Sequence, residues 1–178
     1  MKLKNIKTVI ILFLLFSMQQ KIGAQIPAVG SYLTNNTMGA FHGTWQWVDG
    51  TDTVKIFLAT KKVYYPISGG FYMDNLVGWH MYKNGNTIIE SSYPNINNIG
   101  LSTFLGGNDN IPNDSKCFGT LKDIIKNKEG ALKLNLNTAQ NQLTWKLEVS
   151  PGMHVRTPGD PPYYPGFTLP QNMILIKQ

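Results

Sequence analysis

The chain has 178 residues, with 16 basic and 10 acidic side chains, one cysteine and a formal net charge of +6. Four of the lysines lie in the first 21 residues, and the remainder of the chain carries 12 basic and 10 acidic side chains. This small, dispersed charge excludes nucleic-acid binding, which needs clustered basic residues to neutralise phosphates. A single cysteine excludes an internal disulfide bond.

The N-terminus has the order of a secretory signal peptide. Three lysines precede an apolar run at 8–18, and Ala24 ends a cleavage site of small residues. The run is shorter than the roughly 20 residues that a membrane span needs. No cysteine follows the cleavage site to accept a lipid. We predict a signal peptide at 1–24, one domain at 25–178, export to the periplasm or the cell exterior, and no stable membrane anchor.

Short β-type runs, separated by turn residues, follow a mixed lead-in at 26–40. Asp74-Asn75 is interpreted as a break between two of the runs. A short helix at 121–128 is the alternative to the end of one strand. The β-prone runs are 41–48, 53–61, 63–65, 71–73, 76–82, 87–90, 101–105, 117–125, 131–137, 142–149 and 172–177.

The clearest local signal is a hairpin at 79–92. Asn84-Gly85 lies between two β-prone runs. The Asn-Gly pair predicts a type I′ turn, in which both central residues take a positive φ.

Two runs alternate strictly between apolar and polar residues, at 131–137 and 142–149. Such alternation is typical of antiparallel sheets that are covered on one side. Six of the ten prolines lie in 151–170, which predicts a long loop before the final strand. The fold prediction is all-β: a single antiparallel meander of about eight to nine strands, closed by the last strand into a barrel, with a sandwich as the alternative.

Several motifs carry a resemblance to known families. Gly43-Thr44-Trp45 resembles the opening of lipocalin-type barrels, which implies a central cavity for an apolar ligand. Most of the chain resembles a family of small secreted proteins of Bacteroidota that carry a domain of unknown function. The other matching residues are Gly23-Ala24-Gln25, Asp52-Thr53, Asn84-Gly85, Cys117-Phe118-Gly119 and Leu169-Pro170.

No motif predicts catalysis or a metal site. The histidines His42, His80 and His154 have no ligand spacing for zinc. No Gly-x-Ser-x-Gly motif is present, so a non-enzyme with no cofactor is predicted. Glu90 and Glu148 lie on polar strand faces and are expected to be exposed.

Two further candidates have simple structural interpretations. The oxygen-rich loop 106–114 has ligands that calcium prefers, but its composition is also that of an ordinary turn, which we favour. Cys117 has no nucleophile motif and is expected to be a small buried apolar residue.

Aromatic residues are the best candidates for binding. Core packing accounts for most buried aromatic residues in β proteins. The alternative is a pocket lined by tryptophans, with the aromatic residues of the proline-rich loop acting as a lid or as an anchor. The predicted ligand-binding residues are Trp45, Trp47, Trp79, Trp145, Tyr163, Tyr164 and Phe167.

Two functions remain open at this point. The first is a lipocalin-like binding module for a small apolar ligand. The second is an exported interaction protein that contacts a protein or a glycan through its aromatic surface or its proline-rich loop. A roomy interior would favour the first, and a filled core with an exposed aromatic patch would favour the second.

Overall fold

Alternating side chains give most strands one face toward the core and one away from it, and eight strands close into an antiparallel barrel. The computed structural model describes residues 27–111, 114–149 and 166–178. The strands in these residues are β1 (Tyr32–Leu33), β2 (Gly43–Asp49), β3 (Asp52–Tyr65), β4 (Phe71–Asn84), β5 (Thr87–Ser91), β6 (Phe104–Gly107), β7 (Lys116–Asp123), β8 (Lys128–Leu136), β9 (Gln142–Val149) and β10 (Asn172–Lys177).

Around the barrel the order is β4-β3-β2-β10-β9-β8-β7-β6, and β6 returns to β4. β1 pairs with β4 in parallel and β5 pairs with β4 as a hairpin, both outside the ring. The predicted all-β meander with a closing final strand is confirmed, and the closed barrel is consistent with the lipocalin-like expectation. The predicted signal peptide and most of the proline-rich loop lie outside the described residues.

Helical structure in the described residues consists of short 3-10 segments. None of the described helices is long and apolar enough to cross a membrane. The segments are Met38–Phe41, Ile67–Gly69, Tyr93–Asn95 and Ile99–Leu101.

The predicted break at Asp74-Asn75 is wrong, and the helix considered as an alternative at 121–128 is not found. β4 continues through Asp74 and Asn75, because Asp74 accepts hydrogen bonds from Tyr32 and Asn35, and Asn75 accepts one from Tyr65. These partners replace the turn that the two residues would otherwise form. The alternative helix at 121–128 is also not found, since β7 runs through residue 123.

The hairpin between β4 and β5 is confirmed, but its turn differs from the prediction. Asn84 pairs with Thr87, so the two-residue loop is Gly85-Asn86. Only Gly85 has a positive φ, of 57°. A positive φ at the first central position alone is the pattern of a type II′ turn, which favours glycine there.

Side chains fill the barrel interior. Among the described residues, nineteen buried apolar side chains form one core cluster, to which β2, β3, β4 and β6–β10 contribute. At Gly78, an added Cβ would lie 2.8 Å from Leu58 and 3.0 Å from Ile56. The side chains around Gly78 therefore fill the barrel interior at this position.

The two ends of the barrel are closed differently. At one end, called the plugged end below, the 3-10 segment Met38–Phe41 places Met38 and Phe41 in the core. At the opposite end, Leu169 is buried and Asp123 accepts hydrogen bonds from the backbone and the hydroxyl of Thr168. The segment before β2 thus closes the plugged end of the barrel, and the segment before β10 closes the opposite end.

Candidate functional site

Trp45 and Trp145, two of the predicted binding residues, belong to the packed core. Both are fully buried, and Trp45 donates its indole N–H to the carbonyl oxygen of Phe41 at 2.8 Å. Because inward positions of neighbouring strands meet inside a barrel, the alternation of β2 and β9 places both rings there. For Trp45, the structural interpretation of the sequence is the correct description.

Trp79 lies on the other side of the barrel wall. Its register partner is Phe57, an outward position of β3, and the two rings are 6.2 Å apart. The segment after β5 covers this ring, and the indole N–H donates to the carbonyl oxygen of Asn98 at 3.1 Å. The structure does not bring Trp79 together with the other three tryptophans.

Trp47 and Trp145 meet at a lateral groove. β2 and β10 pair only through Ile176 with Gln46 and Lys177 with Trp45, and beyond these pairs the two strands separate. The resulting groove has a volume of about 410 Å³. It is named the seam groove here, and its lining residues are Trp47, Thr144, Trp145, Lys146, Asn172, Met173 and Ile174.

Phe167 serves as an anchor for its loop. Its ring packs against the core and occupies the space that a side chain at position 130 would need, where the residue is Gly130. The ammonium group of Lys128 lies 4.4 Å from the ring centroid. The other two loop aromatics, Tyr163 and Tyr164, lie outside the described residues.

An exposed aromatic surface lies where β3 and β4 leave the barrel. β2 pairs with β3 only as far as Leu58, and β6 meets β4 only at residues 76–78. The strands continue to Tyr65 and from Phe71, and β1 pairs alongside. This three-stranded extension, comprising β1, residues 60–65 and residues 71–75, is named the tyrosine arm.

A row of three tyrosines crosses the tyrosine arm. Tyr32 pairs with Tyr72, and Tyr72 pairs with Tyr64, so the three side chains share one face. That face continues the inward-facing positions of β3 and β4 beyond the barrel rim, because side chains alternate along a strand. Tyr32 is 44% exposed and Tyr64 is 53% exposed. The row therefore presents aromatic surface above the plugged end.

Charged groups hold the tyrosine row in place. The Lys62 ammonium lies 4.4 Å from the ring centroid of Tyr32 and 4.3 Å from that of Tyr72, which are cation–π distances. The hydroxyl of Tyr32 donates to Asp74 at 2.5 Å. This hydrogen bond raises the pKa of Tyr32, with smaller contributions from burial and from the Asp74 charge. The row is thus held in place by these contacts, and the Tyr32 hydroxyl stays protonated at neutral pH.

A polar cleft lies at the same end of the barrel. Its volume is about 700 Å³. Amide and hydroxyl side chains dominate the lining, and Asp114 supplies its carboxylate. The lining residues are Asn36, Thr37, Ala40, Asp114, Ser115, Leu136, Asn137, Thr138 and Gln140.

Hydrogen bonds connect the tyrosine arm to the polar cleft. Asp74 accepts from the backbone N–H of Asn35 at 2.9 Å, and the Asn35 side-chain amide donates to Asn108 at 2.7 Å. Asn108 in turn donates to the hydroxyl of Thr37, which lines the cleft, at 2.8 Å. The two surfaces are therefore parts of one fixed end of the molecule.

Glu90 is buried, contrary to the expectation that it is exposed. Its register partner is Tyr82, an inward position, so its side chain enters the barrel wall. One carboxylate oxygen lies 2.9 Å from the Nε2 atom of His80, and the other accepts the backbone N–H groups of Ile124 and Ile125. A polar residue facing inward is invisible to local alternation, because the register that buries it is set by other strands.

The same cluster resembles a catalytic arrangement only superficially. The Nδ1 atom of His80 lies 2.7 Å from the hydroxyl oxygen of Thr103, which lies 3.0 Å from that of Ser92. Both members of the histidine–glutamate pair have fully buried side chains. A nucleophile must reach its substrate, so this packing favours a structural role that joins β4, β5 and β6.

Two other sequence candidates have structural roles. Cys117 is fully buried, and this burial raises the pKa of its thiol to about 12, which keeps it protonated and unreactive. In the oxygen-rich loop, Asp114 accepts the backbone N–H groups of Asp109 and Lys116. In the described part of the chain, no group of three or more His, Cys, Asp or Glu residues is arranged to hold a metal ion.

Sequence reasoning missed the tyrosine arm as a site. The signal was present: the inward positions of β3 change from Val54, Ile56 and Leu58 to Thr60, Lys62 and Tyr64. A change from aliphatic to polar and aromatic residues on one face marks where a strand leaves the core. The parallel pairing that adds Tyr32 is non-local and has no signal in the sequence.

The comparisons with known proteins add a family and no function. A family model described as a family of unknown function, DUF6705, matches residues 3–178. No curated protein and no solved structure matches the chain.

Proposed function

The chain belongs to DUF6705, a family of unknown function, and we propose that it is an exported, non-enzymatic module that binds a carbohydrate chain at its plugged end. The observation that carries this proposal is the ordered row of Tyr32, Tyr72 and Tyr64 beside a polar cleft. The basic, apolar and small-residue order of the N-terminus supports export. The burial of the His80–Glu90 pair supports binding over catalysis.

The packed interior argues against an apolar ligand held at the centre of the barrel. The core tryptophans are fully buried, and the inward face of Gly78 has no room for one more carbon atom. A ligand at the centre would have to displace large side chains from a close-packed core. The filled core and exposed aromatic patch favour the interaction protein, and the chemistry of the plugged end favours a glycan as its partner.

The tyrosine row has the dimensions of a short sugar segment. Neighbouring strands lie about 4.8 Å apart, so three tyrosines on adjacent strands span about 10 Å. The C–H groups of a pyranose ring pack on aromatic rings, and the tyrosine hydroxyls supply hydrogen bonds at the edge. Because the Lys62 ammonium already lies over the rings of Tyr32 and Tyr72, the exposed Tyr64 ring is the stacking surface for one sugar ring, and Lys62 can donate to the hydroxyls of the next.

The polar cleft supplies the groups that recognise hydroxyls. Asn137, Gln140 and Asn36 can each donate and accept, and Thr138 and Ser115 add hydroxyls. Asn137 and Ser115 already bond to Asn141 and Asn135 within the chain. A lipid in this cleft would leave the side chains of Asn36, Gln140 and Thr138 without partners, at a cost in free energy. Sugar hydroxyls satisfy both donors and acceptors, which favours a carbohydrate over an apolar ligand here.

Affinity electrophoresis against soluble polysaccharides tests this proposal. The panel is amylopectin, xylan, xyloglucan, mixed-linkage β-glucan and glycol chitin. We expect at least one polysaccharide to retard the protein, and Tyr64→Ala to abolish that retardation. Phe118→Ala is the matched control, because Phe118 is 49% exposed on β7, away from the tyrosine arm. Retardation by no member of the panel, or equal retardation of both variants, would contradict the proposal.

A further inference from the structure

We propose a second binding site, independent of the carbohydrate site: the seam groove takes a small, neutral, planar molecule that carries a carbonyl acceptor. Trp47 stacks on the ring system of this molecule, and the indole N–H of Trp145 donates to its carbonyl oxygen. The groove lies along β2 and β10 beyond their last paired residues, away from the plugged end. Nothing in the carbohydrate proposal requires this groove.

The indole N–H of Trp145 is the first argument for a ligand. The atom is buried and has no hydrogen-bond partner. The other two fully buried tryptophans are satisfied, Trp45 by Phe41 and Trp79 by Asn98. Buried indole donors normally have partners, so an unpaired one at the lining of a groove indicates an acceptor that comes from outside the chain.

The limited pairing of the seam is the second argument. β2 and β3 form seven residue pairs, whereas β2 and β10 form two. An antiparallel barrel of close-packed strands would continue the β2–β10 ladder past Gln46. The early end of this ladder leaves a groove of about 410 Å³, within the usual size range of small-molecule sites of about 300–1,000 Å³.

The groove lining indicates the chemistry of the molecule. Trp47, Met173 and Ile174 supply apolar and polarizable surface, which suits a planar ring system. Lys146 at the rim is paired with Glu148 at 2.6 Å. Glu148 also pairs with Lys133 at 2.6 Å, so the three groups together carry a net charge of +1. The Lys146 ammonium is held by Glu148 on a largely exposed side chain, where water and salt screen its attraction for an anion. The apolar lining of the groove therefore favours a neutral molecule over a carboxylate.

The limited pairing also explains how a ligand reaches a buried atom. The N–H of Trp145 is covered in the empty groove, so its acceptor must enter between the separated parts of β2 and β10. A small further separation breaks no ladder bond beyond Gln46, because the ladder has already ended there. The groove can therefore widen without unfolding the barrel.

Coumarin and naphthalene form a matched pair of probes, since both are planar bicyclic molecules and only coumarin has a carbonyl group. The indole N–H signals of the four tryptophans are followed by ¹H–¹⁵N correlation spectroscopy of the full domain. Signals are assigned through Trp145→Phe, Trp47→Phe and Trp79→Phe. We expect coumarin to move the Trp145 signal downfield and naphthalene to leave it in place.

The variants separate binding from packing. We expect Trp145→Phe to weaken coumarin binding about 3- to 10-fold, the worth of one hydrogen bond, and to leave naphthalene binding unchanged. Trp79→Phe is the matched control and should change neither affinity, because Trp79 lies outside the barrel wall. The wild-type spectrum decides the matter even if Trp145→Phe does not fold. A Trp145 signal that coumarin leaves unmoved would overturn the proposal, whatever the polysaccharide result.

Discussion

The β3–β4 hairpin has two halves that differ in what their inward faces do. In the barrel half, Ile56 and Leu58 are fully buried and face His80 and Gly78 across the pair. In the tyrosine arm, the same face carries Lys62 and exposed Tyr64. One continuous pair of strands thus serves as core wall in one half and as a presented surface in the other.

The difference between the halves shows that alternation along a strand does not by itself determine whether a face is buried or exposed. Both halves alternate with a period of two residues. What differs is the neighbouring strand: β2 and β6 pair with the barrel half, whereas among the described strands only β1 pairs with the arm. Stability should therefore depend on the barrel half, and binding on the arm.

Glu90→Ala tests the barrel half with the largest expected effect. The change leaves His80 and the backbone N–H groups of Ile124 and Ile125 without an acceptor. Removing one member of a buried hydrogen-bonded pair should lower the free energy of unfolding by about 3–5 kcal/mol, measured by urea denaturation. Glu90→Gln, which keeps a carbonyl acceptor, should lose less. A loss below about 1 kcal/mol for Glu90→Ala would show that the cluster does not stabilise the barrel.

Gly70→Ala should affect both stability and polysaccharide binding. Gly70 has a φ of 93°, and an added Cβ would lie 2.7 Å from ring atoms of Tyr64. With a ψ of 136°, Gly70 lies in a region that residues with a side chain rarely populate, so the backbone conformation should cost about 1–3 kcal/mol. The displaced Tyr64 ring should weaken polysaccharide retardation. Gly85→Ala is the control, because its φ is 57° and its Cβ would meet no atom within 4 Å. If both variants lost retardation equally, polysaccharide binding would not depend on the position of the Tyr64 ring.

Tyr64→Ala should have a small effect on stability and a large effect on binding. Its ring is 5.2 Å from that of Tyr72, centroid to centroid, and is half-exposed. We expect a loss of about 0.5–1 kcal/mol in urea denaturation, typical of an exposed aromatic pair. Tyr64→Phe should keep most of the retardation because the ring remains. A loss of stability comparable to that of Glu90→Ala would show that the Tyr64 ring stabilises the fold as a core residue does, and would contradict the prediction.

Glu148→Gln should have the smallest effect, visible only in the pH dependence. Hydrogen bonds from Lys133 and Lys146 lower the pKa of Glu148 to about 2. A carboxyl whose pKa is lower in the folded state stabilises above its unfolded pKa and loses that contribution as the pH falls toward 2. The ion pairs are partly exposed, so screening keeps the effect small. Wild type should lose more stability than the variant between pH 6 and pH 3; equal losses would contradict this role.

Local patterns predicted the strands well and the long-range contacts between them poorly. β9 and β10 have the predicted bounds, because their alternation needs no information from other strands. The continuation of β4 through Asp74 depends on Tyr32 and Asn35, which are about 40 residues away along the chain. Long-range partners of this kind are set by register, which the local sequence does not encode.

The predicted aromatic site separated into parts for the same reason. Alternation places Trp45 and Trp47 on one face but does not say that a neighbouring strand will cover the first and diverge from the second. Trp79 faces outward because of its register with Phe57. The assignment of Trp45, Trp47, Trp79 and Trp145 to one ligand pocket remains a prediction, and only Trp47 and Trp145 share a groove here.

Chemical-shift mapping of the ¹⁵N-labelled domain tests the central claim most directly. The domain is titrated with cellohexaose, xylohexaose, maltohexaose and chitohexaose. With at least one of them, the account predicts shifts in the amide signals of the tyrosine arm, from Lys62 to Tyr72, and of the cleft residues Asn137 to Gln140. Signals of the buried strand positions, such as Ile56, should stay in place. Shifts in the core or in the seam groove alone, or no shifts with any of the four sugars, would contradict it.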